Sequence, residues 1–366
     1  MTHYRLPFFE ALRKVFDERG CRLDVAYGDG TPEEARKGDG GELSWGLRLP
    51  TRYLAGGRLC WQPFYGPLAG ADLVVVTAEN KLICNLPVQL LTRHARVALW
   101  GHGGNLQGDP HSWRERFKRL VALRADWWFG YTEFSRPLIL ATGFPADRVT
   151  TLNNAVDTGE MAAQRLAVTI EATEALRRKW GLGTGPVGIF VGSLYGEKRI
   201  GFMLAAAEQV QIRIPDFQFV IVGTGPDQAL VTAFCERHAW AHAAGLLKGQ
   251  QKADAMSLAR VMLNPGLVGL GILDSFVCGV PMVTTDCGLH SPEIAYLANG
   301  RNGLMTPDTA DAFVDAVVTL LQDDVRHADL VRGCRDSAAE YTVENMARRF
   351  ADGAQACLAS APRRFE

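Results

Sequence analysis

A chain of 366 residues with 47% hydrophobic content exceeds what one core ordinarily organises, so two domains are expected. The net charge is −1, and residues 1–155 carry 20 basic against 16 acidic side chains, about +4, against about −5 for the remainder. That modest asymmetry lacks the strongly basic face a nucleic acid requires and suits an anionic lipid or acceptor at the N-terminal half. Eight cysteines without a C-x-x-C pair, several inside apolar runs, read as reduced, buried thiols. With no apolar run of about 18 residues and no signal-type N-terminus, the expectation is a cytoplasmic protein, free or peripheral on the inner face of the cytoplasmic membrane.

In chain order, the opening residues run straight into a helical pattern from Phe8 to Arg19, so the first strand of an α/β domain is barely present and the given start reads as late. Leu23 to Tyr27 predicts a strand, Gly28 to Gly41 a polar loop, and Arg48 to Tyr65 an aromatic, irregular stretch. Strands follow at Asp72 to Thr77 and Arg96 to Trp100, flanking a helix over Asn85 to His94. A strand at Trp127 to Tyr131, a helix at Ser135 to Thr142 and a strand at Val149 to Leu152 complete the first half. Residues from Asp157 to about Pro186 read as helical and charged, and the breaker cluster Gly181 to Pro186 marks a domain junction. Strand and helix units then alternate, with Val187 to Gly192 and Phe217 to Gly223 as strands, until a terminal helix over Val343 to Leu358 that returns to the first domain. Short Val/Ile/Leu runs between helices are the pattern of covered parallel sheets, so the class is α/β.

The stretch Asn264 to Pro281 is the most informative one. It reads as a strand end, a glycine-rich turn, and a helix with Asp274 and Ser275 near its start. Amides at such a start lack intrahelical partners and sit at the positive end of the dipole, so they attract phosphate or sugar oxygens. Lys198 and Arg199 follow another strand, and fixed cations of this kind stabilise a pyrophosphate leaving group as its charge grows. Composition alone would equally allow a solvated Glu-Lys-Arg triplet.

Taken in order, Val191 to Arg199, Val222 to Pro226, Gly266 to Pro281, Pro292-Glu293-Ile294 and Asn302-Gly303-Leu304 resemble the donor domain of glycosyltransferase family 4. Tyr4 to Phe9, Trp100 to Gly103 and Asn154 to Asp157 resemble the acceptor half of the same enzymes. The resemblance implies a GT-B fold of two Rossmann-like domains facing across a cleft. The acceptor domain would be residues 1–157 joined by the terminal helix 343–366, and the donor domain residues 158–342. It further implies a retaining transferase that moves a sugar from a nucleoside-diphosphate donor to a glycan or lipid-linked acceptor in surface polysaccharide assembly. No cofactor or metal is implied, and UDP is favoured as the nucleotide by its frequency in the family.

The resemblance assigns donor contacts to Gly192, Ser193, Lys198, Arg199, Gly223, Gly225, Gly266, Gly269, Leu270, Gly271, Asp274 and Ser275. Relatives often have arginine at the Ser193 position, leaving Arg199 to supply the missing charge. They also carry two glutamates eight positions apart, which fall at Gly266 and Asp274: the first acid is absent and the second shortened. An enzymatic nucleophile at position 266 is therefore excluded, and front-face attack within an ion pair remains, the departing phosphate oxygen taking the acceptor's proton. Asp274 can still accept from a ribose diol.

His102 follows a strand among glycines and by resemblance would lie near the donor sugar, a catalytic position alongside Lys198 and Asp274, although a loop-capping role is the bland alternative. Tyr4, Arg5 and Asn105 are the acceptor candidates. Residues 111–124 place Trp113, Phe117, Leu120 and Leu123 on one stripe amid basic residues, which fits either a peripheral membrane helix or an ordinary amphipathic one. His238 and His242 have helical spacing but no third ligand for zinc, and Gly223-x-Gly225 lacks the rest of a dinucleotide fingerprint. The rival readings are a nucleotide-sugar hydrolase or 2-epimerase, and a nucleotide-sugar-binding protein without turnover.

Overall fold

A computed structural model describes residues 1–31, 40–66, 69–79, 81–103 and 119–363. Backbone contacts divide the chain into two α/β units, Met1–Asp157 with Thr342–Glu366, and Thr158–Tyr341. The division falls at Asp157, ahead of the breaker cluster at Gly181. Helices α4 (Gly159–Leu166) and α5 (Ile170–Lys179) pack on later helices of the second unit, so the charged segment belongs there.

The first unit opens with a 3-10 turn, His3–Arg5, that feeds helix α1 (Leu6–Glu18). Strands β1 (Ala26–Tyr27) and β2 (Leu47–Arg48) form a two-residue parallel ladder. The stretch expected to be irregular instead holds an antiparallel hairpin, β3 (Arg52–Leu54) and β4 (Leu59–Trp61), closed by Ala55, Gly56 and Gly57, all at positive φ. A parallel sheet follows in the order β5 (Leu73–Thr77), β6 (Arg96–Gly101), β7 (Trp127–Gly130), β8 (Val149–Thr151), with α2 (Asn85–Leu91) and α3 (Ser135–Ala141) between its strands. Its core joins Val74, Val76, Leu99, Trp128, Ile139 and Phe144.

Helix α12 (Val343–Ala359) completes that unit. Thr342 caps its start by accepting from the Asn345 amide, satisfying one of the bare N–H groups. On its buried face the Phe350 ring stacks on Phe129 at 4.3 Å, and on its exposed side Asp352 pairs with Arg19, the residue that ends α1, at 2.7 Å. Gly353 lets the helix seat against β8, since a Cβ there would stand 2.4 Å from Thr150 Oγ1.

The second unit is a six-stranded, wholly parallel sheet in the order β11 (Ala241–Gly245), β10 (Gln218–Val222), β9 (Val187–Val191), β12 (Val261–Leu263), β13 (Met282–Thr285), β14 (Gly303–Thr306). Helices α6 (Ile200–Arg213), α7 (Gln228–Arg237), α8 (Gly249–Leu258), α9 (Gly271–Cys278), α10 (Ala310–Gln322) and α11 (Asp324–Glu340) connect or cover it. Its core is aromatic and aliphatic, with Phe190, Phe217, Phe219 and Phe313 fully buried. From β9 the chain steps outward to β10 and β11, then returns to the other side of β9 as β12. That reversal is a topological switch point, the place at the carboxyl ends of the strands where open α/β sheets bind ligands. All eight cysteines are free thiols.

Candidate functional site

The loops that leave β9 and β12 meet at the switch point of the second unit. Residues 196–198 make a single 3-10 turn, and Arg199 then takes left-handed angles, φ 56° and ψ 46°, before α6 begins. A non-glycine residue in that region costs roughly 1 kcal/mol, so neighbouring contacts hold it there. The Arg199 guanidinium pairs with Asp308, donates to Thr285 Oγ1 at 3.1 Å and lies over the Phe202 ring. Expected to neutralise phosphate, Arg199 is engaged internally and braces the turn.

Lys198 points the other way. Its Nζ donates to the Leu267 carbonyl at 2.5 Å, which places the ammonium at the foot of the glycine turn. Burial pushes its pKa down to about 8, because few polar groups replace its lost hydration. A negatively charged ligand beside it would reverse that shift.

The glycine turn is pinned from both sides. The Leu267 amide donates to Glu197 O at 2.8 Å. On the other side the Val268 amide donates to His290 Nδ1 at 3.1 Å, while His290 Nε2 donates to Thr285 O at 2.7 Å. These partners fix the neutral tautomer, and burial lowers the imidazole pKa in the same sense. His290 was not among the candidates. Its only sequence signal is its place in a short turn just before Pro292, a proline that starts a helical turn.

Gly266 explains its own departure from the family pattern. A Cβ there would lie 2.4 Å from Glu197 O and 2.5 Å from Lys198 C, both backbone atoms that cannot move aside. Position 266 thus serves close packing of the two loops, and an acid cannot be restored without separating them. Gly269 and Gly271 differ: a Cβ at Gly269 meets nothing nearer than 3.6 Å and one at Gly271 faces open space. Among the described residues the amides of Gly269 and Leu270 have no acceptor, which leaves two donors at the start of α9.

Asp274 lies in the first turn of α9, and its Oδ2 accepts from Lys252 Nζ of α8 at 3.0 Å. Ser275 is fully buried, and its hydroxyl donates to Ile272 O, so the expectation of a donor contact there is corrected: the side chain is inside the core. Ser193 is exposed after β9. Gly192 lies under the lysine, a Cβ there coming 3.8 Å from Lys198 Cε. Gly223 and Gly225 let the loops after β9 and β10 touch, since Cβ atoms would fall 1.8 Å from Gly192 O and 2.3 Å from Leu194 O. The two histidines considered for zinc face different partners, His238 against Phe234 and His242 stacked on Trp180.

In the first unit, the carboxyl edge of the β5–β8 sheet gathers a separate cluster. Arg5 donates to Asn154 Oδ1 at 2.5 Å and its guanidinium lies 5.3–5.7 Å from the rings of Tyr4, Trp100 and Tyr131. The Asn154 backbone N–H in turn donates to Tyr131 O, and Asn153 before it takes φ 55°. His102 is exposed, with its ring 4.2 Å from Tyr131 in an edge arrangement. The Trp100 indole Nε1 is buried and has no partner among the described residues. Tyr4, Arg5 and His102 therefore share one edge. Asn105 and residues 111–118 of the stripe lie outside the described residues.

Residues 185–323, most of the second unit, match the family model described as Glycosyl transferases group 1. The second unit is thus similar to the group 1 glycosyltransferases. It is 28% identical over 160 residues to a phosphatidyl-myo-inositol mannosyltransferase of Mycolicibacterium smegmatis, covering 42% of this chain and 40% of that relative. A GDP-mannose-dependent alpha-(1-6)-phosphatidylinositol monomannoside mannosyltransferase of the same organism is 29% identical over 178 residues, 45% of this chain and 46% of its own. The chain thus matches less than half the length of these curated relatives. The Anabaena protein HepE, solved in complex with UDP, superposes with a TM-score of 0.70 over 95% of both chains at 14% identity. That likeness identifies the fold as GT-B.

Proposed function

We propose that this protein is a retaining glycosyltransferase that moves a sugar from a nucleoside-diphosphate donor to a glycan or lipid-linked acceptor in surface polysaccharide assembly. The observation that carries the reading is Lys198, a half-buried ammonium at the switch point, set beside the amides of Gly269 and Leu270 that have no acceptor among the described residues. A diphosphate there would gain a fixed cation and two oriented donors, and these interactions strengthen as the glycosidic bond breaks and charge builds on the leaving oxygen. No step needs a metal, because the lysine and amides supply the positive potential.

With glycine at position 266 the enzyme offers no nucleophile there. The reading is therefore front-face: the acceptor hydroxyl approaches the side from which the diphosphate departs, and its proton passes to a phosphate oxygen. Asp274, with Oδ1 available beside the Lys252 pair, is assigned to the ribose hydroxyls, and His102 to the donor sugar. Tyr4 and Arg5 are assigned to the acceptor, whose phosphate Arg5 would meet. UDP is the favoured nucleotide, supported by the UDP complex of HepE, while the mannosyltransferase relative makes GDP its competitor.

The test is a thermal-shift and transfer screen across UDP-, GDP-, dTDP- and ADP-sugars. A donor at about 100 times its dissociation constant stabilises by about 2.7 kcal/mol. Stabilisation by one class, with turnover that Lys198→Ala removes, is the expected result. No stabilisation by any of the four would end the proposal.

The packing at Gly266 favours a second reading, a nucleotide-sugar-binding protein without turnover, since the acid is not merely substituted but displaced by backbone. Donor binding with no transfer, hydrolysis or epimerisation under any acceptor would establish it.

A further inference from the structure

The β3–β4 hairpin has apolar side chains on both of its faces. Its register pairs Arg52 with Trp61, Tyr53 with Cys60, and Leu54 with Leu59. Because side chains alternate along a strand, Tyr53 and Cys60 fall on one face and Arg52, Leu54, Leu59 and Trp61 on the other. The first face is the inner one. Cys60 is 1% exposed, its amide donates to Lys81 O, and the Tyr53 hydroxyl donates to Asp29 O. The second face is uncovered, with Leu54 47%, Leu59 39% and Trp61 43% exposed. Hairpins that meet only water carry polar residues on such a face.

Charge says what covers it. From Leu43 to Ala71 the sequence contains no acidic residue, yet it contains Arg48, Arg52 and Arg58. Arg48 is matched by Asp29 at 2.7 Å. Arg52 and Arg58 are exposed and enter no ion pair among the described residues. The Ala55-Gly56-Gly57 turn between them is small and uncharged, so no charged side chain at the tip opposes its approach to the headgroup level.

We propose that this hairpin docks on an anionic lipid bilayer, Leu54, Leu59 and Trp61 entering the interface while Arg52 and Arg58 meet lipid phosphates. Tryptophan prefers the headgroup level, where its ring is half wet, and each arginine near an anionic surface adds about 1 kcal/mol, roughly fivefold in partitioning. The proposal deepens the reading of a lipid-linked acceptor, which would then be reached by a surface already seated on its bilayer. It also gives the membrane contact a second location, apart from residues 111–124.

The experiment sediments the full chain with phosphatidylcholine vesicles, with and without about a third phosphatidylglycerol, at low and high salt, and records the UDP thermal shift alongside. Expected is binding to the anionic vesicles that weakens with salt, because exposed charges are screened within about a Debye length. Arg52→Ala with Arg58→Ala should cost about 25-fold in partitioning, and Leu54→Ser with Leu59→Ser and Trp61→Ser should abolish it. The arginine variant alters only exposed side chains, so it keeps the test meaningful if the triple variant misfolds. Equal binding to neutral vesicles, unchanged partitioning of the arginine variant, or a dimer that the triple variant dissolves would each overturn the proposal. Vesicle binding without any nucleotide shift would support the hairpin while counting against the transferase reading.

Discussion

The two units reach their carboxyl sheet edges by different means. In the second, the edge is built from backbone: glycines let three loops touch, and one lysine and one histidine lock them. In the first, the edge is built from side chains, with Arg5 held among three aromatic rings and bonded to Asn154. A backbone-built edge suits a ligand part that never varies, such as a diphosphate. A side-chain-built edge can be retuned by substitution, which suits a ligand part that varies.

The largest expected effect separates the units by stability. Phe350→Ala removes the ring stacked on Phe129 and should destabilise the first unit by about 3–5 kcal/mol, while nucleotide binding to the second persists. Calorimetry that resolves a lowered transition with an unshifted UDP-dependent one would sharpen the contrast; a joint collapse would break it. Next comes Lys198→Ala, expected to cut kcat/KM about 10²–10³-fold with little change in melting temperature. An equal loss for Arg5→Ala on donor hydrolysis alone would break the division of labour, since Arg5 is assigned to the acceptor.

His290→Ala leaves the Val268 amide without an acceptor and should cost about 1–3 kcal/mol, read as weaker nucleotide binding in titration calorimetry. The smallest effect is that of pH. The Lys198 pKa is depressed to about 8, so between about 8 and its ordinary 10.5 the unfolded state holds the extra proton. Ligand-free stability should therefore gain from this residue across that window, and diphosphate affinity should fall over the same range as the ammonium is lost. Affinity that stays flat from pH 7 to 10 would remove Lys198 from the phosphate site.

Much of this was legible in the sequence because it is periodic or local. The buried strands, the glycine turn and the terminal helix follow from apolar runs and breakers, and the family's motifs marked Lys198 and Asp274. The hairpin was hidden because both its faces carry apolar residues, so no alternation shows, and Gly56-Gly57 reads as an ordinary loop. The pairings of Arg199 with Asp308, Lys252 with Asp274 and His290 with Val268 join residues 22 to 109 positions apart, and no local pattern specifies them. Ser275 misled for a geometric reason: adjacency to Asp274 on a helix means a different face, and that face is the core.

Helix α12 carries one more consequence. The first unit takes its last structural piece from beyond the second unit, so on the ribosome it must wait, its core open along α1, until residues 343–359 have emerged. The second unit, continuous in sequence, can close earlier. The order of maturation therefore runs against the order of translation.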